Sequence, residues 1–218
     1  MKKMKAILFD LDNTLYDEKQ FVDSGFKAVA EYISKEYHLK ISEIYNILLK
    51  DFERGLRGKN FDVLLEKKGL YNKKLVFKLI KVYREHPPKL SPYKDIPEIL
   101  ENLKKYFKLG LVTDGFVKTQ NNKISALGIR KFFDVVIITE DGKFWKPHQK
   151  PYELAIKKLK VPSEKVIFVG DALKDIQGAN NLSMISIQIA HENQERIPIS
   201  NHYVSNFKEI LKIIGTGK

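Results

Sequence analysis

The chain has 218 residues and contains no cysteine. That absence excludes disulfide bonds, thiol nucleophiles and cysteine-ligated metal sites, and it is consistent with a reducing compartment. The sequence also lacks the run of about 18 apolar residues that a membrane-spanning helix requires. Its first residues, MKKMKAILFD, do not contain the apolar segment of a signal peptide. We therefore predict a cytoplasmic protein with no membrane partner.

Arginine is scarce in this basic chain, because only five of the 39 basic residues are arginine, while the formal net charge is +12. A nucleic-acid-binding protein concentrates its basic residues on one face. Here lysines alternate with acidic residues in segments such as EKKGLYNKK and ENLKKYFK. This mixture is typical of a solvated surface that attracts anionic substrates, and we predict no nucleic-acid partner.

Short apolar runs and helix-like segments alternate along most of the chain. Such an alternation predicts βαβ units, and therefore an α/β fold with a doubly wound parallel sheet. The predicted strands cover 5–9, 108–113, 135–139, 165–170, 184–189 and a short run near 203–204. The predicted helices of this part cover 96–106, 117–127, 151–159, 175–182 and 207–214.

Residues 17–88 have a different pattern, because their apolar residues recur at helical spacing and no strand pattern interrupts them. We predict an all-helical domain inserted after the first strand. The α/β core then comprises residues 1–16 and 89–218. Within the insertion, Ser42 is expected to cap the N-terminus of a helix, and Gly69 is expected to end one.

Polar side chains follow the apolar strands at the points where the strands end. Because the carboxyl ends of parallel strands meet at one edge of a sheet, these side chains are expected to converge there. In chain order they are Asp10, Asp12 and Thr14, then Thr113 and Asp114, then Lys146, and finally Gly170, Asp171 and Asp175.

The predicted site carries an excess of negative charge. Lys146 is the only basic residue among the strand-end groups, against the four aspartates Asp10, Asp12, Asp171 and Asp175. Converging carboxylates repel one another unless a cation lies between them. Because all the acidic ligands are oxygen atoms, the sequence favours Mg²⁺ as the cofactor.

Four segments of the chain resemble the signature motifs of the haloacid dehalogenase (HAD) superfamily, in matching order. They are FDLDNTL, VTDG, the lysine of WKP, and GDALKD. The match covers the whole chain, and the helical insertion resembles the cap domain of subfamily I. The resemblance implies a Rossmann-like core, a helical cap and, because an acid is present at Asp12, the phosphatase branch of the superfamily.

The resemblance also implies roles for the residues near the metal. Asp10 would be the nucleophile that forms an aspartyl phosphate. Asp12 would protonate the leaving oxygen and later activate water. Asp10, Asp171 and the backbone carbonyl of Asp12 would hold Mg²⁺, and Thr14 and Gly170 would support these groups.

The phosphoryl group would be held by residues from other strand ends. By the same resemblance, Thr113 and the backbone N–H of Asp114 would bind the phosphoryl oxygens. Lys146 would neutralise charge on Asp10 and on the phosphoryl group. Asp175 would act through water or by orienting Lys146.

Several alternatives remain open from the sequence. A phosphomutase of a sugar phosphate would use the same residues, and a 2-haloacid dehalogenase would not need the acid at Asp12. A glycosyltransferase DxD motif explains Asp10 and Asp12 but leaves Lys146 and Asp171 without a role. A receiver domain is about half as long. The expected partner is a small phosphorylated metabolite, and the sequence defines neither its identity nor the oligomeric state.

Overall fold

The computed structural model describes residues 3–140, 143–191 and 194–215. The chain divides into two compact units. One unit is formed by Met1–Asp17 together with Ser91–Lys218, and the other by Glu18–Leu90. We call the first the α/β unit and the second the helical unit.

The described residues form six strands and nine α-helices. The strands are β1 (Ala6–Phe9), β2 (Lys108–Asp114), β3 (Val135–Thr139), β4 (Val166–Gly170), β5 (Ile185–Ile189) and β6 (His202–Val204). The helices are α1 (Lys19–Tyr37), α2 (Ile41–Glu53), α3 (Asn60–Lys67), α4 (Lys73–Glu85), α5 (Ile96–Lys104), α6 (Val117–Ala126), α7 (Lys150–Leu159), α8 (Leu173–Asn180) and α9 (Phe207–Ile214). Across these described segments, no helix has both the length and the apolar composition needed to cross a bilayer.

The strands form one sheet in the order β3-β2-β1-β4-β5-β6, and all neighbouring strands are parallel. The prediction of a doubly wound parallel sheet is therefore confirmed. The chain builds one half of the sheet outward from β1 and the other half outward from β4. Ligands bind such sheets outside the carboxyl ends of the strands, where the order reverses. At that point Phe9 pairs with Val169, and the backbone N–H of Asp10 donates to the carbonyl of Val169 (2.9 Å).

The sheet is covered by helices that bury one apolar face each. All four residues of β1 are buried, which explains why its sequence, AILF, has no polar alternation. On α7, the buried residues Tyr152, Ala155 and Leu159 follow the helical spacing. Each large side chain that is buried in this way contributes about 1.5–3 kcal/mol. A Cβ at Gly178 would clash with the Tyr152 ring and hydroxyl, so the Tyr152 side chain of α7 can pack against α8 only because residue 178 is glycine.

The helical unit has an apolar core of its own. In α1, the residues Val22, Phe26, Val29 and Ile33 are buried at spacings of three and four residues. They pack against buried side chains of α2, α3 and α4. Residues 18–90, all of which the structure describes, contain no strand.

Two helix ends in this unit test the local sequence signals. Gly69 follows α3 in a left-handed conformation (φ 64°), and the next N–H, that of Leu70, donates to the carbonyl of Leu65 (2.8 Å). The prediction for Gly69 is therefore confirmed. The prediction for Ser42 is wrong, because α2 begins before it. The carbonyl of Lys40 accepts the first hydrogen bond of that helix (3.2 Å), which places Ser42 inside the first turn.

Candidate active site

Asp10 lies at the carboxyl end of β1 and contacts Lys146. Asp10 is 5% exposed and Lys146 is 4% exposed. The Nζ of Lys146 donates to Oδ1 of Asp10 and to the carbonyl of Val112 (3.3 Å), and it lies 2.7 Å from Oδ1 of Asp175. The ammonium group is therefore held between two buried carboxylates. An ammonium group at this depth is stable only when it is paired in this way.

Asp175 is oriented by the turn between β4 and α8. The helix begins at Leu173, two residues earlier than the sequence predicted, because Asp175 closes its first turn: Oδ2 of Asp175 accepts from the backbone N–H of Ala172 (3.1 Å). Its other oxygen faces Lys146. A Cβ at Gly170 would lie 2.6 Å from the Cβ of Asp175, so glycine is needed where β4 ends. Both carboxylate oxygens of Asp175 are thus engaged by the protein itself.

Three carboxylates meet at this edge of the sheet. Asp10, Asp171 and Asp175 each offer an oxygen atom, and these atoms lie within 4.8 Å of one another. Asp10 and Asp175 share one ammonium group, that of Lys146, so the three carboxylates carry more negative charge than this lysine neutralises. A set of oxygen ligands with this charge fits a hard divalent cation such as Mg²⁺.

The pKa shifts of Asp10 and Lys146 are consistent with a divalent cation at this site. Burial raises the pKa of Asp10 well above its usual value, Lys146 opposes the rise, and Asp175, Asp12 and Asp171 add to it. Burial also tends to lower the pKa of Lys146, but Asp10 and Asp175 outweigh this effect and raise the pKa. Lys146 therefore stays protonated, whereas an ionised Asp10 needs more positive charge than one lysine supplies.

Asp12 makes a separate set of contacts. Its Oδ1 accepts from the hydroxyl of Tyr16 (2.5 Å) and from Nζ of Lys123 (2.7 Å), and its Oδ2 accepts from Nε2 of Gln120 (3.0 Å). Burial raises the pKa of Asp12, but Lys123 and these hydrogen bonds together outweigh burial and lower it. The structure thus brings the Asp12 carboxylate to α6 rather than into the group of three acids.

Thr113 and Asp114 are the last two residues of β2, which pairs with β1 on the side opposite to β4. The Oγ1 of Thr113, which is buried, accepts from Nε2 of Gln120 (2.6 Å). The side chain of Asp114 accepts from the backbone N–H of Lys146 (3.1 Å), from the hydroxyl of Thr139 (2.8 Å) and from Nζ of Lys174 (3.0 Å). Asp114 therefore ties the end of β2 to the loop that carries Lys146.

Thr14, which was predicted to support the metal ligands, and the segment after β5 add further polar groups to the site. Thr14 is fully buried, and its hydroxyl has no hydrogen-bond partner among the described residues. The segment after β5 contacts two site loops: Nε2 of His191 donates to the carbonyl of Asn13, and Nε2 of Gln194 donates to the carbonyl of Asp171 (2.6 Å). His191 and Gln194 therefore fix the backbone next to the predicted metal ligands.

Sequence reasoning missed Gln120, Lys123 and Lys174. The first two stand three residues apart on a helix and are both buried, at 2% and 4% exposed. A polar pair at this spacing is a signal only when the buried face of the helix is known. The sequence of α6, VKTQNNKISA, is polar on most of its surface and does not define that face.

Comparison with known proteins gives consistent results. The family model described as haloacid dehalogenase-like hydrolase matches residues 7–189. A glyceraldehyde 3-phosphate phosphatase of Methanocaldococcus jannaschii is 32% identical over an alignment of 223 residues, gaps included, which covers 97% of each chain. The pyrophosphatase PpaX of Bacillus velezensis is 28% identical over 184 residues, covering 83% of this chain and 80% of its own length.

Solved structures agree with the sequence comparisons. The crystal structure of a HAD phosphatase from Thermococcus onnurineus matches with a TM-score of 0.70 and 27% identity, and covers 98% of this chain and 99% of its own. The family match spans both the strand-end motifs and the helical segment between them. The chain belongs to the haloacid dehalogenase-like hydrolase family.

Proposed function

We propose that the protein is a Mg²⁺-dependent phosphatase that hydrolyses a small phosphorylated metabolite through an aspartyl phosphate on Asp10. The observation that carries this proposal is the buried contact of Asp10 with Lys146, in a group of three carboxylates. Further support comes from the relatives, one of which is named a glyceraldehyde 3-phosphate phosphatase and another a pyrophosphatase. Glyceraldehyde 3-phosphate is therefore the first substrate to test.

Asp10 and Asp171 would hold the Mg²⁺ ion with their carboxylates, and Asp12 with its backbone carbonyl. Asp175 is a weaker candidate for direct ligation, because its oxygens already face Lys146 and the N–H of Ala172. When bound, the ion would keep Asp10 ionised and neutralise charge on the phosphoryl oxygens.

Asp10 acts as the nucleophile and Asp12 transfers the protons. An oxygen of Asp10 attacks phosphorus, and the bond from phosphorus to the leaving oxygen breaks as that oxygen takes a proton from Asp12. Because its pKa is lowered, Asp12 is a carboxylate in the free protein, and it would gain this proton from the phosphate group of the bound substrate. In the second half, Asp12 takes a proton from water, the water oxygen bonds to phosphorus, and the Asp10 carboxylate is released with inorganic phosphate.

Lys146 and Thr113 bind the transferred group. The ammonium group of Lys146 is aimed at Asp10 by Asp175 and by the carbonyl of Val112, and it can also contact a phosphoryl oxygen. The hydroxyl of Thr113 accepts from Gln120, which leaves its own hydrogen for donation. Charge that spreads over the phosphoryl oxygens in the transition state is stabilised by such donors.

We further propose that the helical unit is a cap that selects the substrate, as in the subfamily that the motifs resemble. A cytoplasmic location and the absence of a nucleic-acid partner remain predictions that accompany this proposed function.

The test is release of inorganic phosphate from 4-nitrophenyl phosphate and from a panel of phosphorylated metabolites that includes glyceraldehyde 3-phosphate. Asp10→Asn should lower the rate at least about 10³-fold, because the nucleophile is lost. EDTA should abolish the activity and Mg²⁺ should restore it. Glu153→Gln, which neutralises an exposed carboxylate of α7, serves as the control and should keep the wild-type rate. Phosphate release by Asp10→Asn at the wild-type rate would rule out Asp10 as the nucleophile.

A further inference from the structure

Helix α6 turns two polar side chains toward the site. Gln120 and Lys123 are three residues apart, so they lie on the same face of the helix, and both are almost fully buried. A buried lysine that is paired with a carboxylate gives little or no net stability compared with an apolar residue of the same size. The fold therefore does not explain why this face of α6 carries an amide and an ammonium group.

The contacts of these side chains indicate what they do. Lys123 holds Oδ1 of Asp12 at 2.7 Å, and Gln120 holds Oδ2 at 3.0 Å. Gln120 also donates to Oγ1 of Thr113 at 2.6 Å. A carboxylate that is bound through both oxygens has a fixed rotation about its side-chain bonds. The orientation of Asp12 is thus set by α6 together with the hydroxyl of Tyr16, and it is linked to the end of β2 through Gln120.

We propose that Gln120 and Lys123 are positioning residues that hold Asp12 in the orientation from which it transfers a proton to the leaving oxygen. This inference rests on the proposed phosphatase function. Neither residue exchanges a proton with the substrate, and both act through the Asp12 side chain. Gln120 in addition keeps Asp12 in register with Thr113, a phosphoryl-binding residue of the proposed site.

The protonation by Asp12 matters more for some substrates than for others. As the oxygen of Asp10 bonds to phosphorus, the ester bond breaks, and a proton from Asp12 converts the leaving oxyanion into an alcohol. A 4-nitrophenolate ion leaves without this proton, because the anion is stable by itself. Unsubstituted phenolate is a poorer leaving group of nearly the same shape. A misplaced Asp12 should therefore slow the cleavage of phenyl phosphate more than that of 4-nitrophenyl phosphate.

The experiment measures kcat/KM for both esters in Lys123→Met and Gln120→Leu. The value of kcat/KM covers only the steps up to release of the phenol, so the hydrolysis of the intermediate does not affect it. We expect the ratio of kcat/KM for phenyl phosphate to that for 4-nitrophenyl phosphate to fall about tenfold in each variant, a part of the 10²–10⁴-fold that general acid catalysis contributes. Lys158→Met and Gln177→Leu, which make the same changes at exposed positions of α7 and α8, should leave the ratio unchanged.

A second comparison uses the Asp12→Asn background, in which there is no acid to position. There, the added change Lys123→Met should cause no further loss of kcat/KM. Equal losses for both esters, an unchanged ratio, or a further loss in the Asp12→Asn background would each overturn the inference. If Lys123→Met does not fold, which its thermal melting curve will report, Gln120→Leu decides the question alone. A wild-type protein that releases no phosphate from either ester would instead contradict the proposed function.

Discussion

Asp10 is the residue at which catalysis and stability make opposite demands. A nucleophilic carboxylate must be ionised, yet burial and three neighbouring aspartates raise the pKa of Asp10 well above its usual value. Lys146 compensates only part of this effect, because it is shared with Asp175. Strain of this kind is common where a site is built for a charged ligand or transition state.

The substitution Asp10→Asn should therefore stabilise the metal-free protein near neutral pH. Because the pKa of Asp10 is higher in the folded than in the unfolded state, ionisation of Asp10 lowers the free energy of unfolding as the pH rises above the unfolded value of about 3.9, and the full loss is present above the folded pKa. Asp10→Asn removes this cost and keeps the shape of the side chain. The measurement is the melting temperature of both proteins in EDTA. The variant should melt higher at pH 7, and the difference should disappear as the pH falls below about 4, where the aspartate is protonated in both states.

A variant that melts lower than the wild type at pH 7 would contradict this expectation. The same comparison with Mg²⁺ serves as a control, because a bound cation offsets the charge of Asp10. In its presence the advantage of the asparagine variant should diminish or reverse.

At the scale of helices and strands, the sequence predicts features that depend on neighbouring residues. It does not predict features that depend on contacts between residues far apart in the chain. Strands β1 and β4 were predictable because each is an uninterrupted apolar run, and the polar residue that follows it marks the edge of the sheet. That logic was enough to place Asp10, Asp171 and Asp175 near one another. It could not identify Lys123, whose partner Asp12 is 111 residues away in the sequence. It also missed the start of α8, because a hydrogen bond from the backbone to Asp175 adds the first turn.

Helix caps offer a test of the local signals in the helical unit. The side chain of Asn72 accepts from the backbone N–H of Lys74 (2.8 Å) and so satisfies one of the free donors at the start of α4. Asn72→Ala should lower the free energy of unfolding by about 1 kcal/mol. Urea unfolding followed by circular dichroism measures this change. Asn46→Ala, at an exposed position inside α2, should change the stability by less than about 0.5 kcal/mol, and an equal loss in both variants would argue against the cap.

At the scale of the whole molecule, the two units have separate apolar cores. The core of the α/β unit is formed between the sheet and its helices, and that of the helical unit lies among α1 to α4. The chain leaves and re-enters the α/β unit at neighbouring points, because the backbone N–H of Tyr93 donates to the carbonyl of Leu15 (3.0 Å). An insertion between two such close points can be removed with little cost in loop closure.

Removal of residues 18–90, with a short Gly-Ser linker between Asp17 and Ser91, should therefore leave a folded α/β unit that contains every residue of the proposed site. We expect it to hydrolyse 4-nitrophenyl phosphate in the presence of Mg²⁺. It should also lose discrimination among phosphorylated metabolites, because the proposed cap supplies the contacts that separate one substrate from another. The measurement is the ratio of kcat/KM between the best and the poorer metabolites of the panel, which should fall at least about tenfold. Asp10→Asn in the shortened protein should abolish phosphate release, which shows that the site itself is responsible. A shortened protein with the discrimination of the wild type would place substrate selection in the α/β unit instead.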